Sequence, residues 1–322
     1  MQFKSSTSKK KILITGSHGF IATNLIQQLS KINSLFLIGV DSGISKSKNI
    51  CFTEKLCLHH QVDLLDQEKL KELLEGVDVV IHLAARGNVV ESIENPISNL
   101  DSNVCATLSL LEAMRATDVR KIVFSSTGGA LMGNATPPVT EKTIPLPISP
   151  YGASKLACEG YLSAYSESFD FSSVVLRFGN VYGNYSSHKV GVINKWIRAS
   201  IENKEITIYG NGSASRDYIH VEDLCQGIIA AMNRLLTQAN VTSHERYHLA
   251  NNREITLSEL NLILSRIAKK EIIPLFFPER KGEVKRNYSD CSLANKELKF
   301  NPKVCFDDGI GSLYQWILEN EY

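Results

Sequence analysis

The sequence predicts an α/β fold in which a doubly wound parallel sheet is followed by a smaller C-terminal lobe. Two observations over residues 1–178 predict it: short apolar runs alternate with longer stretches of helical spacing, and a glycine-rich turn joins the first run to the first helix. Alternating strands and helices of these lengths are typical of a parallel sheet. After residue 178 the segments become shorter and more mixed, which indicates the second lobe.

Length and composition are those of an ordinary globular protein. The 322 residues are 43% hydrophobic and 21% charged, and the net charge of +1 argues against nucleic acid or a membrane surface as the main partner. The basic cluster at 9–11 is followed by a short apolar run that ends at Thr15, so it is neither a signal peptide nor a membrane span. The seven cysteines are scattered and lack metal-ligand spacing. We therefore expect reduced thiols, no metal site and a cytoplasmic location.

The first predicted unit has the order strand, glycine turn, helix, strand and acid, over 11–15, 16–22, 23–29, 35–40 and Asp41. Gly16 and Gly19 let backbone N–H groups approach a pyrophosphate, and the helix N-terminus adds the positive end of its dipole. Asp41 can accept hydrogen bonds from the adenosine ribose hydroxyls, and its charge repels a 2′-phosphate. The unit therefore predicts a site for NAD rather than NADP. The alternative is a glycine turn beside a strand-end aspartate that binds nothing.

The alternation continues to residue 178. Further predicted helices and strands cover 70–74, 77–83, 97–117, 121–124, 151–169 and 173–178. Ligands of doubly wound sheets bind at the carboxyl ends of the strands. This rule brings a set of strand-end residues to one edge, beside Tyr151: Gly16, Asp41, Ala84, Ala85, Ser125, Thr127 and Phe178.

Tyr151 and Lys155 lie four residues apart at the start of the helix over 151–169, directly after Pro150. At helical pitch they share one face, so the ammonium stands beside the phenol. A fixed positive charge favours the phenolate, and this pairing predicts that Lys155 lowers the pKa of Tyr151 far enough for general base catalysis. The alternative is a chance pair on a solvated helix face; the strand-end residues favour the catalytic interpretation.

The chain is expected to divide at residue 178. Residues 1–178 form a dinucleotide-binding domain of the Rossmann type, to which residues 213–247 return, and residues 179–322 form a lobe that closes a cleft over the sheet edge. Predicted helices and strands of this lobe cover 190–201, 205–209, 257–268, 272–276 and 307–318.

A series of short motifs follows in order after residue 10. They are TGSHGFIA at 15–22, Asp41, DL at 63–64, HLAA at 82–85, NV at 103–104, FSSTGGA at 124–130, YGASK at 151–155, LRFGNVYG at 176–183, IYGNG at 208–212 and SRDYIHVEDL at 215–224. With these motifs the chain resembles the extended short-chain dehydrogenase/reductase family, in its NAD-dependent epimerase/dehydratase branch that acts on nucleotide sugars.

The resemblance implies roles for individual residues. Tyr151 is the acid/base, Lys155 lowers its pKa and holds the nicotinamide ribose, and Thr127 hydrogen-bonds the sugar hydroxyl that is oxidised. The alternative for Thr127 is a turn cap. The implied NAD-binding residues are Gly16, Gly19, Phe20, Ile21, Asp41, Asp63, Leu64, Leu83, Ala84, Ala85, Asn103, Ser125, Tyr151, Lys155 and Phe178. The implied substrate-binding residues are Arg86, Thr127, Asn180, Val192, Tyr209, Arg216, Arg280 and Asn287.

The implied reaction is NAD-dependent 4-epimerisation of a UDP-sugar through a 4-keto intermediate. Relatives that eliminate water or decarboxylate carry an acidic residue directly after the position of Thr127, whereas this chain has Gly128 and Gly129. In relatives that exclude N-acetyl sugars, a bulky aromatic residue occupies the position of Asn287. Because asparagine is smaller, the resemblance implies UDP-GlcNAc and UDP-GalNAc as substrates, with or without UDP-glucose and UDP-galactose.

The alternatives are a nucleotide-sugar 4-ketoreductase, a 4,6-dehydratase and a non-catalytic NAD-binding scaffold. The resemblance also implies a homodimer in which the helices over 98–116 and 151–169 pair with their copies. Both helices carry more apolar positions than one buried face needs.

Overall fold

A parallel sheet of seven strands forms the centre of the protein. The computed structural model describes residues 9–43, 53, 55–186, 189, 191–237, 243–279 and 284–322. The strands of this sheet are β1 (Lys10–Thr15), β2 (Leu35–Asp41), β3 (Leu58–Gln61), β4 (Val79–His82), β5 (Lys121–Thr127), β6 (Ser172–Phe178) and β10 (Ser243–Leu249). Their order is β10-β6-β5-β4-β1-β2-β3, and every neighbouring pair is parallel. The predicted fold class is confirmed.

Helices bury both faces of this sheet. They are α1 (Phe20–Leu29), α2 (Gln67–Leu74), α5 (Ala106–Ala116), α7 (Pro150–Phe169) and α9 (Val221–Thr237). Successive strand residues point to opposite faces. Ile12 and Ile14 therefore pack in the core with α1 and α9, whereas Leu13 packs in the core with α2, α5 and α7. The strand order reverses between β1 and β4, and a crevice at such a reversal is where open sheets bind ligands.

The helix predicted over 97–117 is divided in three. It consists of α4 (Pro96–Leu100), a π-helical turn (Asp101–Cys105) and α5, and it is preceded by α3 (Val89–Glu94). Within the π-helical turn, the carbonyl of Asn103 accepts a hydrogen bond from the Thr107 hydroxyl at 2.5 Å. A side-chain hydroxyl that bonds the carbonyl four residues earlier bends a helix. Periodicity alone does not report this interruption.

Two signals mark the start of α7. The side chain of Ser149 accepts a hydrogen bond from the Gly152 N–H at 3.2 Å, and Pro150 occupies the first helical position. The helix ends at Asp170, which adopts the left-handed conformation with φ +58°. These two ends define a helix of 20 residues that lies against β5 and β6.

The smaller lobe has its own sheets and core. Its elements are β7 (Asn180–Tyr182), α8 (Val192–Ile201), β8 (Ile206–Tyr209), β9 (Ser215–His220), β11 (Glu254–Thr256), α10 (Leu257–Ala268), β12 (Pro274–Phe277), β13 (Arg286–Asn287) and α12 (Phe306–Glu321). Strand β9 pairs with β7, β11 and β13, and β8 pairs with β12. Trp196, Ile208 and Phe306 are buried in the core of this lobe.

After β9 the chain leaves the smaller lobe for a time. Helix α9 packs against α1, and β10 is the edge strand beside β6. Helix α11 (Ser292–Leu298) packs against α9 and β10. Strand β9 itself belongs to the four-stranded sheet of the smaller lobe. The described part of the chain contains no helix long and apolar enough to cross a membrane. The division into two domains at residue 178 stays a prediction.

Candidate active site

The glycine turn after β1 packs directly against the end of β4. Gly16 has a φ of +67°, and a Cβ at this position would lie 2.8 Å from the Cα and N atoms of Ala84. Glycine adopts this geometry without a steric cost. The Thr15 hydroxyl accepts a hydrogen bond from the Ala84 N–H at 3.2 Å, which holds the two segments together. Gly19 is the N-cap of α1, so the N–H groups without intrahelical partners follow directly.

Asp41 closes this turn from the neighbouring strand. Its carboxylate accepts hydrogen bonds from the backbone N–H groups of His18 at 3.1 Å and Gly43 at 3.2 Å. A carboxylate has about four acceptor positions, so positions remain for ribose hydroxyls. Asp63 is exposed beyond the end of β3, the strand beside β2, whereas the Leu64 side chain is buried in the core.

Three residues predicted to contact NAD pack in the core. Phe20 is only 2% exposed, and Ile21 and Leu83 are partly buried against the same cluster. The Phe20 side chain fixes α1 against the sheet and does not reach the cleft. A contact with NAD from Phe20 would therefore come from its backbone at the helix start.

Asn103 joins the loop after β4 to α7. Its Oδ1 accepts a hydrogen bond from the Arg86 N–H at 2.8 Å, and its Nδ2 donates to the Arg86 carbonyl at 3.2 Å and the Ser154 hydroxyl at 3.0 Å. The Arg86 guanidinium donates to the Ser98 hydroxyl at 3.1 Å and lies 3.6 Å from Glu91. Protein groups take up the Nδ2 hydrogens of Asn103, whereas Oδ1 keeps one acceptor position for a contact with NAD.

The Lys155 ammonium ties α7 to β5. The side chain is 2% exposed, and Nζ donates to the Ser125 carbonyl at 2.8 Å while lying 4.7 Å from the centre of the Phe124 ring. Burial lowers the pKa of Lys155 to about 8, against the raising effect of Cys158 and Glu159. Lys155 is therefore largely an ammonium at pH 7, and it is held at the strand end that carries Thr127.

Tyr151 lies at the start of α7, where its N–H donates to the Ser92 hydroxyl at 3.2 Å. Its phenol oxygen is close to the loop after β4: a Cβ at Gly87 would lie 3.8 Å from it. Burial raises the pKa of Tyr151 to about 12. The expected lowering by Lys155 is therefore not found in the protein alone, because burial dominates and the ammonium is directed at Ser125.

Thr127 ends β5 opposite Phe178 of β6. Its Oγ1 accepts a hydrogen bond from the Ala130 N–H at 3.4 Å, so it does cap the turn that leads into the short helix α6 (Gly129–Met132). This bond uses a lone pair and not the hydroxyl hydrogen, which can be donated to a substrate oxygen. The capping role and the predicted catalytic role are thus compatible. The backbone carbonyl of Phe178 accepts a hydrogen bond from the Gly128 N–H at 2.8 Å.

The two glycines after Thr127 face different surroundings. A Cβ at Gly128 would lie 3.2 Å from Nδ1 of His248 and 3.3 Å from Oγ of Ser289, so a side chain there would fit only if these neighbours shifted. A Cβ at Gly129 would lie 3.5 Å from Oδ1 of Asn287. Asn287 is 7% exposed, and its side chain therefore stands against the turn beyond Thr127.

The other predicted substrate residues lie on the smaller lobe. Arg216 is on β9, where it is paired in register with Asn287 of β13, and its Nη1 donates to the Ser215 carbonyl at 2.8 Å. Asn180 begins β7, Val192 begins α8 and Tyr209 ends β8. The Tyr209 ring centre lies 5.9 Å from that of Phe277. Arg280 lies outside the described residues.

Sequence reasoning missed a buried ionic network behind this site. Glu159 of α7 accepts hydrogen bonds from Arg177 of β6 and Ser126 of β5. It also missed Ser92, which is 1% exposed and caps α7 at Tyr151. The spacing of Glu159, four residues after Lys155, is a signal that could have been found. Ser92 had no such signal because α3 was not predicted.

The sequence model of the NAD dependent epimerase/dehydratase family matches residues 12–243, which is more than half of the chain. The chain belongs to this family. A putative UDP-glucose 4-epimerase of Methanocaldococcus jannaschii is 31% identical over 313 residues, which are 96% of this chain and 99% of the relative.

Solved structures of other epimerases are similar along the same length. The UDP-glucose 4-epimerase of Thermotoga maritima with UDP-glucose has a TM-score of 0.89 and 30% identity, covering 97% of this chain and 100% of its own. The UDP-N-acetylglucosamine 4-epimerase of Methanobrevibacter ruminantium, in complex with UDP-N-acetylmuramic acid, has a TM-score of 0.87 and 28% identity, covering 97% and 99%.

The residues at the sheet edge fit the NAD of this family. Gly16 leaves a cradle that a Cβ would fill, α1 begins beyond it, and the Asp41 carboxylate has acceptor positions to spare. Within the described ranges, no group of three or more histidine, cysteine, aspartate or glutamate side chains could hold a metal ion.

We expect Gly16→Ala to lower both stability and NAD content. The new Cβ would meet the Ala84 backbone at 2.8 Å, and strain in the left-handed conformation at residue 16 would lower the free energy of unfolding by about 1–3 kcal/mol. Gly311→Ala in α12 is the control, because a Cβ there meets nothing within 4 Å. Denaturant unfolding and the NAD content of purified protein measure both effects. Equal behaviour of the two variants would contradict the role of Gly16.

Proposed function

We propose that this protein is an NAD-dependent 4-epimerase of a UDP-sugar. The observation that carries the proposal is the hydrogen bond from Lys155 to the Ser125 carbonyl, which joins the helix that carries Tyr151 to the end of β5. Thr127 is the last residue of this strand, and Gly128 follows it. This arrangement supplies one proton-transferring group and one hydroxyl donor. The names of the similar proteins, UDP-sugar 4-epimerases from several organisms, support the same reaction.

In the proposed mechanism Tyr151 takes the proton of the sugar C4 hydroxyl and later returns it to the 4-keto oxygen. Thr127 donates a hydrogen bond to the same oxygen and holds it beside the phenol. Lys155 holds the nicotinamide ribose, and its positive charge would favour the Tyr151 phenolate against the effect of burial, which raises the pKa of Tyr151. NAD held by Gly16, Asp41 and Lys155 would supply a hydride acceptor for C4 and, once reduced, a hydride donor to the opposite face of the 4-keto sugar.

The smaller lobe binds the nucleotide while the sugar turns. Arg216 is suited to the diphosphate, because a guanidinium makes paired, charged hydrogen bonds. Asn180, Val192 and Tyr209 lie on neighbouring elements of this lobe and are the proposed contacts of the nucleotide and sugar. With the diphosphate held, the 4-keto sugar can present either face without leaving the cleft.

The contacts of Gly128 favour epimerisation over elimination. Elimination of water needs a further acid and base near the sugar, whereas Gly128, the residue after Thr127, has no side chain and is closely surrounded. A 4-ketoreductase remains the second candidate, since it could use the same Tyr151 and Thr127. It must exchange its nicotinamide cofactor at every turnover, whereas an epimerase regenerates NAD+ within each cycle.

Tyr151→Phe tests the mechanism. Loss of the general acid/base should lower kcat by roughly 10²–10⁴-fold. NAD content should stay unchanged, because the glycine turn and Asp41 are intact. Tyr161→Phe, at an exposed position on the same helix, is the matched control and should retain turnover.

The assay is interconversion of UDP-glucose with UDP-galactose and of UDP-GlcNAc with UDP-GalNAc, without added cofactor. Undiminished epimerisation by Tyr151→Phe would refute the role of the phenol. Turnover that depends on added NADH or NADPH, with net consumption of it, would instead favour the ketoreductase.

For the sugar, we propose UDP-GlcNAc and UDP-GalNAc as substrates. Asn287 is short, lies against Gly129 and thus borders the turn beyond Thr127, where a larger side chain would narrow the cleft. The amide can also donate to or accept from an acetamido group. A UDP-N-acetylglucosamine 4-epimerase among the similar structures supports this choice.

Asn287→Tyr should therefore select against the N-acetyl sugars. We expect kcat/KM for UDP-GlcNAc to fall by roughly 10–200-fold relative to UDP-glucose, which is the usual discrimination by the shape of a pocket. Asn287→Ala, which keeps the space open, is the control. A wild-type protein that turns over UDP-glucose or UDP-glucuronate but not UDP-GlcNAc would overturn the choice of sugar.

We also propose a homodimer that uses α3, α4 and α7. Val90, Ile93 and Ile97 are 60–69% exposed beside α7, a concentration of apolar surface that is unusual for a monomer. Helix α7 exposes Ala153, Gly160 and Ala164. Small residues of this kind let two helices approach closely.

Sedimentation of the wild type should give twice the 35.8 kDa mass of the chain. Ile97→Asp should shift the protein to monomers, because dimerisation would bury an unpaired carboxylate. Leu262→Asp changes an equally exposed leucine on α10 and should stay dimeric. A monomeric wild type would contradict the proposal.

A further inference from the structure

A buried carboxylate stands one helical turn beyond the catalytic lysine. Glu159 lies four residues after Lys155 and eight after Tyr151, so all three share one face of α7. Its side chain is 3% exposed. A buried carboxylate is costly unless it is paired and hydrogen-bonded, so its partners define what it does.

Glu159 connects three structural elements. From β6, Arg177 donates Nε to Oε1 at 3.0 Å and Nη2 to Oε2 at 2.7 Å, which is the paired geometry of a strong ionic contact. From β5, the Ser126 hydroxyl donates to Oε1 at 2.6 Å. The Arg177 side chain is 0% exposed, and Nη1 is buried without a hydrogen-bond partner.

These contacts complete a double attachment between α7 and β5. Lys155 bonds the carbonyl of Ser125, and Glu159 bonds the hydroxyl of Ser126, the next residue. Thr127 follows directly at the strand end. The position of the helix that carries Tyr151 is therefore fixed relative to Thr127 by two buried contacts on successive residues.

The charge of Glu159 also acts on Lys155. The titratable groups around Lys155 and its Glu159–Arg177 neighbours are Tyr151 and Cys158 on α7, His82 on β4, and His244 and His248 on β10. Burial raises the pKa of Cys158 and lowers that of His82 to about 3, so both are neutral at pH 7. Burial also lowers the pKa of His244 to about 4 and that of His248 to about 3. Glu159 is thus the negative charge that counters the desolvation of Lys155.

We propose that Glu159 is the positioning residue of the catalytic pair: held by Arg177, its carboxylate keeps Lys155 in the ammonium form and fixes Tyr151 against the end of β5. The importance for turnover rests on the proposed function. The effect on Lys155 itself does not, and it can be measured in the absence of turnover.

The sign of the effect follows from the direction of the shift. The pKa of Lys155 is about 8, below its ordinary value of 10.5, so the ammonium is present below pH 8 and is lost as the pH rises through 8. Removal of the Glu159 charge would lower this pKa further. The ammonium, and with it the support of Tyr151 and the nicotinamide ribose, would then be lost at a lower pH.

The test compares Glu159→Gln with Glu159→Asp in the full chain. Glu159→Gln keeps the size of the side chain and removes its negative charge. Glu159→Asp keeps the charge and shortens the side chain by one methylene group. The readout is the pH titration of the Lys155 side-chain resonance in lysine-labelled protein, assigned with Lys155→Met. We expect titration near pH 8 in the wild type and at a lower pH in Glu159→Gln. Glu159→Asp should titrate close to the wild type.

Glu167→Gln is the matched control, because it removes an exposed carboxylate from the same helix. If Glu159→Gln fails to fold because Arg177 is left unpaired, the double variant Glu159→Met with Arg177→Met removes both buried charges and the contact with Ser126. Because the two opposite charges are lost together, the readout of this variant is kcat and not the titration of Lys155. A folded double variant with the kcat of the wild type would overturn the proposal.

Turnover provides the second readout. The alkaline limb of kcat should move to lower pH with Glu159→Gln but not with Glu167→Gln. A wild-type pH profile in a folded charge-free variant would reduce Glu159 to a structural role. Absence of turnover with every nucleotide sugar would refute the proposed function, while the Lys155 titration would still decide the role of Glu159.

Discussion

Both faces of the seven-stranded sheet are buried under helices, and this constraint decides where chemistry can take place. Along β1, Ile12, Leu13 and Ile14 are all 0% exposed although they point to alternate faces. A polar side chain in such a position is costly without a partner. Reactive groups are therefore confined to the carboxyl ends of the strands, where Asp41 and Thr127 lie. The position of the site follows from the burial of the rest of the sheet.

The polar groups that do lie beneath this edge are linked to one another. Nδ1 of His82 lies 2.6 Å from the Thr15 hydroxyl, and Nε2 lies 3.0 Å from the Thr107 hydroxyl. These two hydrogen bonds join β1 and β4 to α5. The contacts of Lys155 and Glu159 join β5 and β6 to α7 in the same way. Buried hydrogen-bond networks of this kind hold the packed elements together, although Nη1 of Arg177 lacks a partner. This suits a site that must hold a proton donor within reach of a sugar oxygen.

A buried aspartate joins the smaller lobe to the edge. Asp217 of β9 accepts hydrogen bonds from the N–H of Asn251 at 2.8 Å and of Ser289 at 3.2 Å. These residues follow β10 and β13, so one carboxylate connects strands of both sheets. Burial raises the pKa of Asp217 to about 6. Through this junction Asn287 is brought against Gly129, although 158 residues separate them in the chain.

Much of this arrangement could be predicted from local patterns. Alternating strands and helices predicted the parallel sheet, and Gly16, Asp41 and the Tyr151–Lys155 spacing predicted the edge that binds the cofactor. Local patterns could not predict the π-helical turn, because one of the contacts that mark it comes from Cys158 on α7, 55 residues along the chain from Asn103. They also did not reveal strand β10, whose polar first half resembles a loop.

The sequence by itself determined the residue types and their spacing: glycines where a side chain would clash, an acid at a strand end, and a phenol and an amine on one helical face. Only the tertiary structure decided their charge states and directions. Burial raises the pKa of Tyr151 and lowers that of Lys155, and it directs the ammonium to Ser125 with Glu159 behind it. Desolvation and long-range pairing depend on which elements pack together, and neither is visible in the spacing of residues along the chain.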